Sequence, residues 1–240
     1  MEVKKNFYRA VTIFFYIFAA EYNTICLPKM TEKQRIEKIT EWFRIKVPVA
    51  ETELEFKNPF QLLVAVILSA QCTDKRVNII TKKLFDIMPD CQSVAQSSVE
   101  EIYELIKSCS YPNNKSKHIY NMSQMLLSEF QGQVPSDVEE LQRLPGVGRK
   151  TANVVISVVY QKPAMAVDTH VFRVSKRLGL TQNAKNPLQA EKQLVKLFKE
   201  SEIHKAHHWL ILHGRYVCVA RKPKCGECGL KEWCPAYSDL

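Results

Sequence analysis

The sequence lacks the patterns that specify β-sheets. No stretch of its 240 residues alternates apolar and polar side chains over the length of a strand, and there is no internal repeat or low-complexity segment. Apolar residues recur instead at helical spacing, so we predict an all-α fold with short loops. The predicted helices cover 31–44, 60–70, 74–85, 97–108, 115–130, 138–144, 149–159, 169–178, 187–200 and 204–217.

Several of these helices have capping residues at their starts. The helix over 60–70 is apolar nearly all round, which indicates a buried central helix. The expected caps are Asn58, Asp74, Ser97 with Glu100, Ser136 with Glu139, and Asn186.

The chain has no comfortable membrane span. The apolar run 10–20 is too short for one, although three basic residues precede it and small residues end it, as in a signal peptide. Residues 1–29 differ in character from the rest, and Met30 begins a polar helix. We favour an over-extended start for these residues; a retained extension and a targeting segment stay open.

The segment 144–155, LPGVGRKTANVV, joins two predicted helices by a turn with two glycines. Pro145 and Gly146 end the first helix, and Gly148 precedes the second. The glycines allow close approach of another backbone, and the free N–H groups at the helix start attract an anion such as phosphate. The turn is either an ordinary αα-hairpin or a phosphate-binding hairpin with Lys150 beside it.

Four of the eight cysteines crowd into 17 residues with the spacing C-x6-C-x2-C-x5-C. Such a local cluster is typical of a metal site and unlike a disulfide framework. Both zinc and a four-iron cluster accept four thiolates. Compact zinc modules usually contain two C-x-x-C pairs and this segment has one, so the spacing favours iron–sulfur. The predicted ligands are Cys218, Cys225, Cys228 and Cys234.

Positive charge is in excess, with a formal net charge of +9. Residues 205–224 contain five Lys or Arg and no Asp or Glu. The loop between the first two clustered cysteines includes Arg221, Lys222 and Lys224. A basic loop held by a metal suits DNA phosphates, and a solvated basic surface is the alternative interpretation.

Lys150 and Asp168 are candidates for chemistry. A lysine is a nucleophile in its neutral form, which the positive potential of Arg149 and of the helix N-terminus would favour. Asp168 is expected to cap the helix over 169–178, to take part in electrostatic stabilisation and proton transfer, or both. His170 either contacts DNA or makes a structural hydrogen bond.

Three features occur in the order found in one family: the hairpin 145–148 with Lys150, the segment VDTH at 167–170 and the four-cysteine spacing. Over about 31–234 the chain resembles endonuclease III, the bifunctional helix-hairpin-helix family of DNA glycosylases and AP lyases. Each motif alone could arise by chance, whereas the three together are specific.

The resemblance implies two helical domains with a DNA-binding cleft between them. A six-helix barrel with the hairpin would span 52–162, while 31–51 and 163–240 would form a discontinuous domain with a [4Fe-4S] cluster. Lys150 would displace an oxidised pyrimidine with Asp168 as its acidic partner, and the resulting Schiff base would permit β-elimination 3′ to the lesion. The damaged base would first leave the stack.

Two further residues match family positions. Gln71, at the end of the buried helix, matches the residue that fills the space vacated by the damaged base. Tyr111 matches a wedge position where leucine is expected, and an aromatic ring there could wedge or stack.

Two other functions stay open. The related adenine glycosylase acting at A·G mismatches shares the hairpin and the cluster, but it has a catalytic Glu in the early buried helix, and residues 60–71 contain no carboxylate here. A non-catalytic DNA-binding module would use Lys150 only as a phosphate contact. We expect a monomeric enzyme of bacterial type in the cytoplasm, associated with the nucleoid. Its expected partner is double-stranded DNA with oxidised pyrimidines or abasic sites, and we expect no association with a membrane.

Overall fold

The chain folds as successive helices joined by short loops. The structure is a computed structural model that describes residues 30–239, so the expectations about 1–29 lie outside the described residues. No strand occurs among residues 30–239, which confirms the predicted all-α fold. The helices are α1 (Glu32–Lys46), α2 (Pro59–Ser69), α3 (Asp74–Ile87), α4 (Cys91–Ala95), α5 (Val99–Ile106), α6 (Pro112–Phe130), α7 (Val138–Arg143), α8 (Arg149–Val158), α9 (Thr169–Arg177), α10 (Pro187–Leu197) and α11 (Ile203–Tyr216).

Helix α2 is the central helix of one hydrophobic core. Asn58 caps it by accepting a hydrogen bond from the Gln61 N–H, and Pro59 occupies its first turn, where no N–H is needed. Every residue from Phe60 to Leu68 is buried, because α3, α6 and α8 pack around the helix. The core draws its buried side chains from Leu54 to Ala164.

A second group of helices includes α9, α10 and α11. Helix α9 packs against both α10 and α11, and α11 also contacts α8, which links the two groups of helices. The second half of α1 joins this group: Phe43 stacks on Trp209 with ring centroids 5.7 Å apart, and the Trp209 indole N–H donates to the Val47 carbonyl. Of the described residues, 39–239 form one compact unit, and 30–38 belong to a separate one.

Three predicted helix starts are wrong by one residue. In each case two neighbouring residues can both cap, and the choice depends on which frame turns the apolar side chains inward. At α5, for example, the observed frame buries Ile102 and Ile106. The predicted caps were Asp74, Ser97 with Glu100, and Ser136 with Glu139; the observed caps are Thr73, Ser98 with Glu101, and Asp137.

Candidate functional site

The glycine hairpin lies between α7 and α8. Gly146 has a φ of +81°, and a Cβ at this position would lie 2.8 Å from the Cβ of His118, so only glycine fits. Val147 between the glycines is buried and anchors the turn. Gly148 is the exposed N-cap of α8 and provides no side-chain acceptor, which leaves the first N–H groups of the helix for an external anion.

Lys150 and Asp168 line the same cavity, whose volume is about 70 Å³. Lys150 is exposed in the first turn of α8, and half-buried Asp168 precedes α9. Oδ1 of Asp168 accepts the N–H groups of His170 and Val171, each at 2.8 Å, as predicted for a helix cap. Capping therefore does not use Oδ2, which stays available to the cavity.

The electrostatic surroundings of Lys150 differ from the expectation in one respect. Arg149 forms an ion pair with Glu191, with Nη2 2.6 Å from Oε1, so its positive charge is largely offset. A second residue near Lys150, His207, also lines the cavity and is 1% exposed. Burial, and then the nearby charges of His208 and Lys150, hold the pKa of His207 well below its ordinary value, so its ring is neutral.

Arg215 holds together the wall between this cavity and a larger groove. Its Nη1 lies 2.6 Å from Oδ2 of Asp74 and also donates to Glu53, so one residue of α11 fixes α3 and the connector before α2. These three residues line both the cavity and the groove, which has a volume of about 810 Å³. Two lysines, His170 and Glu55 also line the groove, so its acidic and basic side chains are balanced.

His170 makes the structural hydrogen bond that was considered for it, and its contact with DNA stays a prediction. Its Nδ1 lies 3.2 Å from Nη2 of Arg173. Because a guanidinium can only donate, Nδ1 is the acceptor, and a neutral ring carries its proton on Nε2. The half-buried ring is therefore held by a structural hydrogen bond while it lines the large groove.

Gln71 and Tyr111 lie in two loops that a hydrogen bond joins, although 40 positions separate them in the sequence. Both are exposed and have left-handed backbone conformations, with φ of 56° and 55°. The hydroxyl of Ser110 donates to the Gln71 carbonyl at 2.6 Å, which joins the two loops. Tyr111 is 62% exposed, so its ring projects into solvent.

The four clustered cysteines line one cavity with apolar neighbours such as Leu178 and Val217. Burial raises the pKa of the Cys228 thiol, and the other three cysteines act in the same direction. A single zinc ion would require sulfur atoms about 3.8 Å apart around it. Among the residues that the structure describes, no three His, Cys, Asp or Glu side chains are placed to hold one ion. Four thiols around a shared apolar cavity fit a larger iron–sulfur cluster.

Two arginines of α9 hold the cysteine segment, and no sequence motif indicated them. Arg177 donates to the Val219 carbonyl at 2.8 Å and lies 3.5 Å from Sγ of Cys218, while Arg173 donates to the Cys218 carbonyl. Hydrogen bonds to a ligating sulfur tune a metal centre. Both arginines lie at ordinary helical spacing on an amphipathic helix, so their partners could not be inferred from the sequence.

The basic loop 219–224 is exposed at each of its charged positions, Arg221, Lys222 and Lys224. Its backbone is anchored by the arginines of α9 and by a bond from the Lys224 N–H to the Val217 carbonyl. The loop therefore presents positive charge from a fixed backbone.

Within 30–239, no helix is both long and apolar enough to cross a membrane.

Comparison with known proteins matches this architecture in two segments. Residues 64–200 match the model of the HhH-GPD superfamily base excision DNA repair protein, and residues 218–234 match the iron–sulfur binding domain of endonuclease III. The match over the cysteine segment identifies the cofactor as a [4Fe-4S] cluster and confirms the prediction of iron–sulfur over zinc.

Full-length relatives give the same result. Endonuclease III of Rickettsia felis is 47% identical over 207 residues, which cover 86% of this chain and 97% of that protein. Endonuclease III of Escherichia coli strain K12 is 43% identical over 205 residues, or 85% of this chain and 96% of that protein. A solved structure of a trapped endonuclease III–DNA covalent intermediate is 43% identical with a TM-score of 0.82, covering 88% of this chain and 99% of that chain. The chain therefore belongs to the endonuclease III family of base excision repair DNA glycosylases and AP lyases.

Proposed function

We propose that Lys150 is the nucleophile of this enzyme and that Asp168 is its acidic partner. The observation that carries the proposal is their common cavity: the amine and the free carboxylate oxygen approach it from two different helix starts, α8 and α9. The adjoining hairpin offers N–H groups to a phosphate of the same strand. The sugar of a nucleotide gripped there would lie within reach of the amine.

The reaction follows from an amine acting on the C1′ carbon of a damaged nucleoside. The nitrogen lone pair forms a bond to C1′ while the C1′–base bond breaks, and its electron pair leaves with the base. Loss of an amine proton and cleavage of the C1′–O4′ bond, with protonation of O4′, give a Schiff base. Removal of a C2′ proton then expels the 3′ phosphate, and water hydrolyses the Schiff base to free the lysine.

Asp168 supports these steps through its charge and through proton transfer. Positive charge develops on the sugar as the base leaves, and a fixed carboxylate beside it stabilises that state. The capping bonds at Oδ1 hold the group rigidly, so little reorganisation is needed. The same carboxylate can accept a proton from the Lys150 amine, directly or through a water molecule.

We propose that the substrate is double-stranded DNA containing oxidised pyrimidines or abasic sites, bound by a monomer in a bacterial-type cytoplasm and nucleoid. The core residues from Leu54 to Ala164 support the proposed barrel domain at 52–162, with 31–51 and 163–240 forming the cluster domain. Four thiolate–iron bonds would close the loop 218–234 when the cluster is bound, so the cluster supplies rigidity to the basic loop. The proposed ligands are Cys218, Cys225, Cys228 and Cys234, and the proposed DNA contacts are Gln71, Tyr111, Gly146, Gly148, His170, Arg221, Lys222 and Lys224.

Borohydride trapping tests the nucleophile. The wild-type protein is expected to form a covalent adduct with duplexes containing an oxidised pyrimidine, because borohydride reduces the Schiff base to a stable amine. Lys150→Ala should form none. Lys162→Ala is the control, at a lysine that binds the Ser136 carbonyl and does not line the cavity, and it should trap normally. Equal trapping by Lys150→Ala would exclude this nucleophile. A panel of duplexes that includes A·G mismatches distinguishes this activity from that of an adenine glycosylase. Binding to every duplex without a covalent adduct would indicate a non-catalytic module.

A further inference from the structure

Lys115 is a buried ammonium group at the carboxyl end of α2. The residue is 6% exposed, and its Nζ donates to the carbonyls of Leu68 and Ala70 at 2.8 Å and 2.7 Å. Leu68 lies in the last turn of the buried central helix and Ala70 is its C-cap, so neither carbonyl has an intrahelical partner. Lys115 itself lies in the first turn of α6, so its side chain bridges two helices.

Burying this charge is costly, and the structure offsets the cost only in part. Burial lowers the pKa of Lys115, while the nearby thiols of Cys109 and Cys72 act in the opposite direction. Within residues 30–239, no carboxylate forms an ion pair with it. The negative end of the α2 dipole and two carbonyls are its stabilising partners. An apolar side chain would avoid the cost of burying a charge, but it would leave both carbonyls without their donor, so these hydrogen bonds account for a lysine at this position.

The bonds of Lys115 and Ser110 connect the loops that carry Gln71 and Tyr111. The Lys115 N–H donates to the Tyr111 carbonyl at 3.2 Å, and the Ser110 hydroxyl donates to the Gln71 carbonyl at 2.6 Å. Ser110 and Lys115, on either side of Tyr111, therefore donate hydrogen bonds to the carbonyls of residues 68, 70 and 71. Left-handed conformations are unfavourable for non-glycine residues and persist only where surrounding contacts hold them.

We propose that Lys115 is a positioning residue that, together with Ser110, holds Gln71 and Tyr111 as one rigid unit for opening DNA at the damaged base. This inference rests on the proposed DNA contacts of those two residues. A base that leaves the stack must be replaced by something in a fixed place, and a unit tied at three carbonyls needs no ordering when DNA binds. Lys115 reaches the DNA only through the residues it holds.

The test compares two substrates that differ in the need to displace a base. One duplex contains an oxidised pyrimidine, and the other has the same sequence with a preformed abasic site. The variants are Lys115→Met, which keeps the length of the side chain, and Ser110→Ala. The controls are Lys162→Met, at an exposed lysine bonded to the Ser136 carbonyl, and Ser123→Ala, at a buried hydroxyl bonded only to Ile119 within α6.

Under single turnover, Lys115→Met should excise the oxidised base about tenfold more slowly than wild type, as expected for a small displacement of positioned groups. Cleavage at the abasic site should change by less than about twofold, and both controls should match wild type on both substrates. Adding Lys115→Met to Gln71→Ala should cause no further loss if Lys115 acts through Gln71. Equal losses on the two substrates, or full additivity with Gln71→Ala, would assign Lys115 a merely structural role and overturn the proposal.

The proposed nucleophile can fail without affecting this test. In a Lys150→Ala background, 2-aminopurine opposite the lesion reports base unstacking on binding, with no bond broken. Lys115→Met should slow the fluorescence rise about tenfold there too, by the same argument from misplacement. An unchanged rise would contradict the positioning role, whatever residue performs the chemistry.

Discussion

Asp168 assigns different tasks to its two carboxylate oxygens. Oδ1 accepts two N–H groups at the start of α9, and Oδ2 is left for the cavity that Lys150 also lines. The capping bonds fix the side chain, so in the proposed mechanism the carboxylate would need little reorganisation. The two interpretations considered for this residue are therefore compatible.

Substitutions at position 168 can separate the two tasks. Asn caps helices about as well as Asp, so Asp168→Asn should leave the free energy of unfolding within about 0.5 kcal/mol of wild type, whereas Asp168→Ala should lose about 1 kcal/mol. Both variants lack the carboxylate charge, and both should excise the base at least about a hundredfold more slowly. Chemical denaturation and single-turnover excision measure the two effects. An Asn variant with normal excision would contradict the role of Asp168 in the reaction.

Among individual residues, the sequence indicated the candidate reactive side chains, but it did not indicate the residues that surround and hold them. Lys150 and Asp168 belong to short motifs with their own physical logic, and the structure brings them to one cavity. Arg177, His207 and Lys115 belong to no motif. Their roles depend on partners in distant segments of the chain, which helical periodicity alone cannot identify.

The hairpin element depends on its two glycines for different reasons. Gly146→Ala forces an unfavourable φ and a contact with His118, so it should lower the free energy of unfolding by at least about 1 kcal/mol. At Gly148, no described residue lies within 4 Å of an added Cβ, and its φ of −87° suits any residue. Gly148→Ala should therefore lower the free energy of unfolding by only about 0.5 kcal/mol, because alanine is a poorer N-cap than glycine, and weaken binding to an abasic duplex about tenfold by obstructing bonds to a phosphate.

Unfolding free energies and equilibrium DNA binding of the two alanine variants are the required measurements. Each variant is the control for the other, since both replace glycine by alanine and the two positions are two residues apart. Normal stability for Gly146→Ala, or normal DNA affinity for Gly148→Ala, would contradict the respective argument.

The cysteine segment has a similar close contact. A Cβ on Gly229 would lie 2.5 Å from Nε1 of Trp42, whereas a Cβ on Gly226 meets no described residue within 4 Å. Overpacking of this kind costs about 1–3 kcal/mol, so Gly229→Ala should release iron to a chelator faster than wild type, and Gly226→Ala should not. Iron release is followed by the loss of the visible absorbance of the cluster. Equal rates for the two variants would show that the contact with Trp42 does not hold the segment.

Helical elements were predictable to within a few residues because each carries its own apolar periodicity. The one-residue errors at α3, α5 and α7 occurred where two neighbouring side chains could cap, and tertiary burial selected between them. Helix α4 was not predicted, because five residues are too few to show a period. Its position depends on packing against α6.

The molecule as a whole is organised around α11. This helix carries Arg215 at the wall of the cavity, buried His207 beside Lys150, and His213, whose Nε2 lies 3.7 Å from Sγ of Cys228. One helix therefore contacts both the candidate reaction site and the cluster site. The sequence predicted α11 as a helix, but its central position depends on contacts with α1, α8 and α9, distant segments that no local pattern specifies.

Buried histidines on α11 make the stability of the fold sensitive to acid. Burial, and then the nearby charges of His204 and Arg215, lower the pKa of His208 from 6.5 to about 4. His208 binds a proton more readily in the unfolded chain than in the folded one, so protonation favours unfolding. Above about pH 6.5 neither state is protonated and the fold has its full stability, which is lost as the pH falls towards 4. At pH 5 the loss from His208 alone is about 2 kcal/mol.

Urea unfolding of the holoprotein at pH 7.5 and pH 5.0 measures this dependence. Wild type should lose stability between the two values, and His208→Gln should lose about 2 kcal/mol less because it cannot take up the proton. His118→Gln, at an exposed histidine, should retain the wild-type difference. Any effect of acid on the cluster is common to all three proteins and cancels in the comparison. If His208→Gln is as acid-sensitive as wild type, the buried neutral histidine is not the cause.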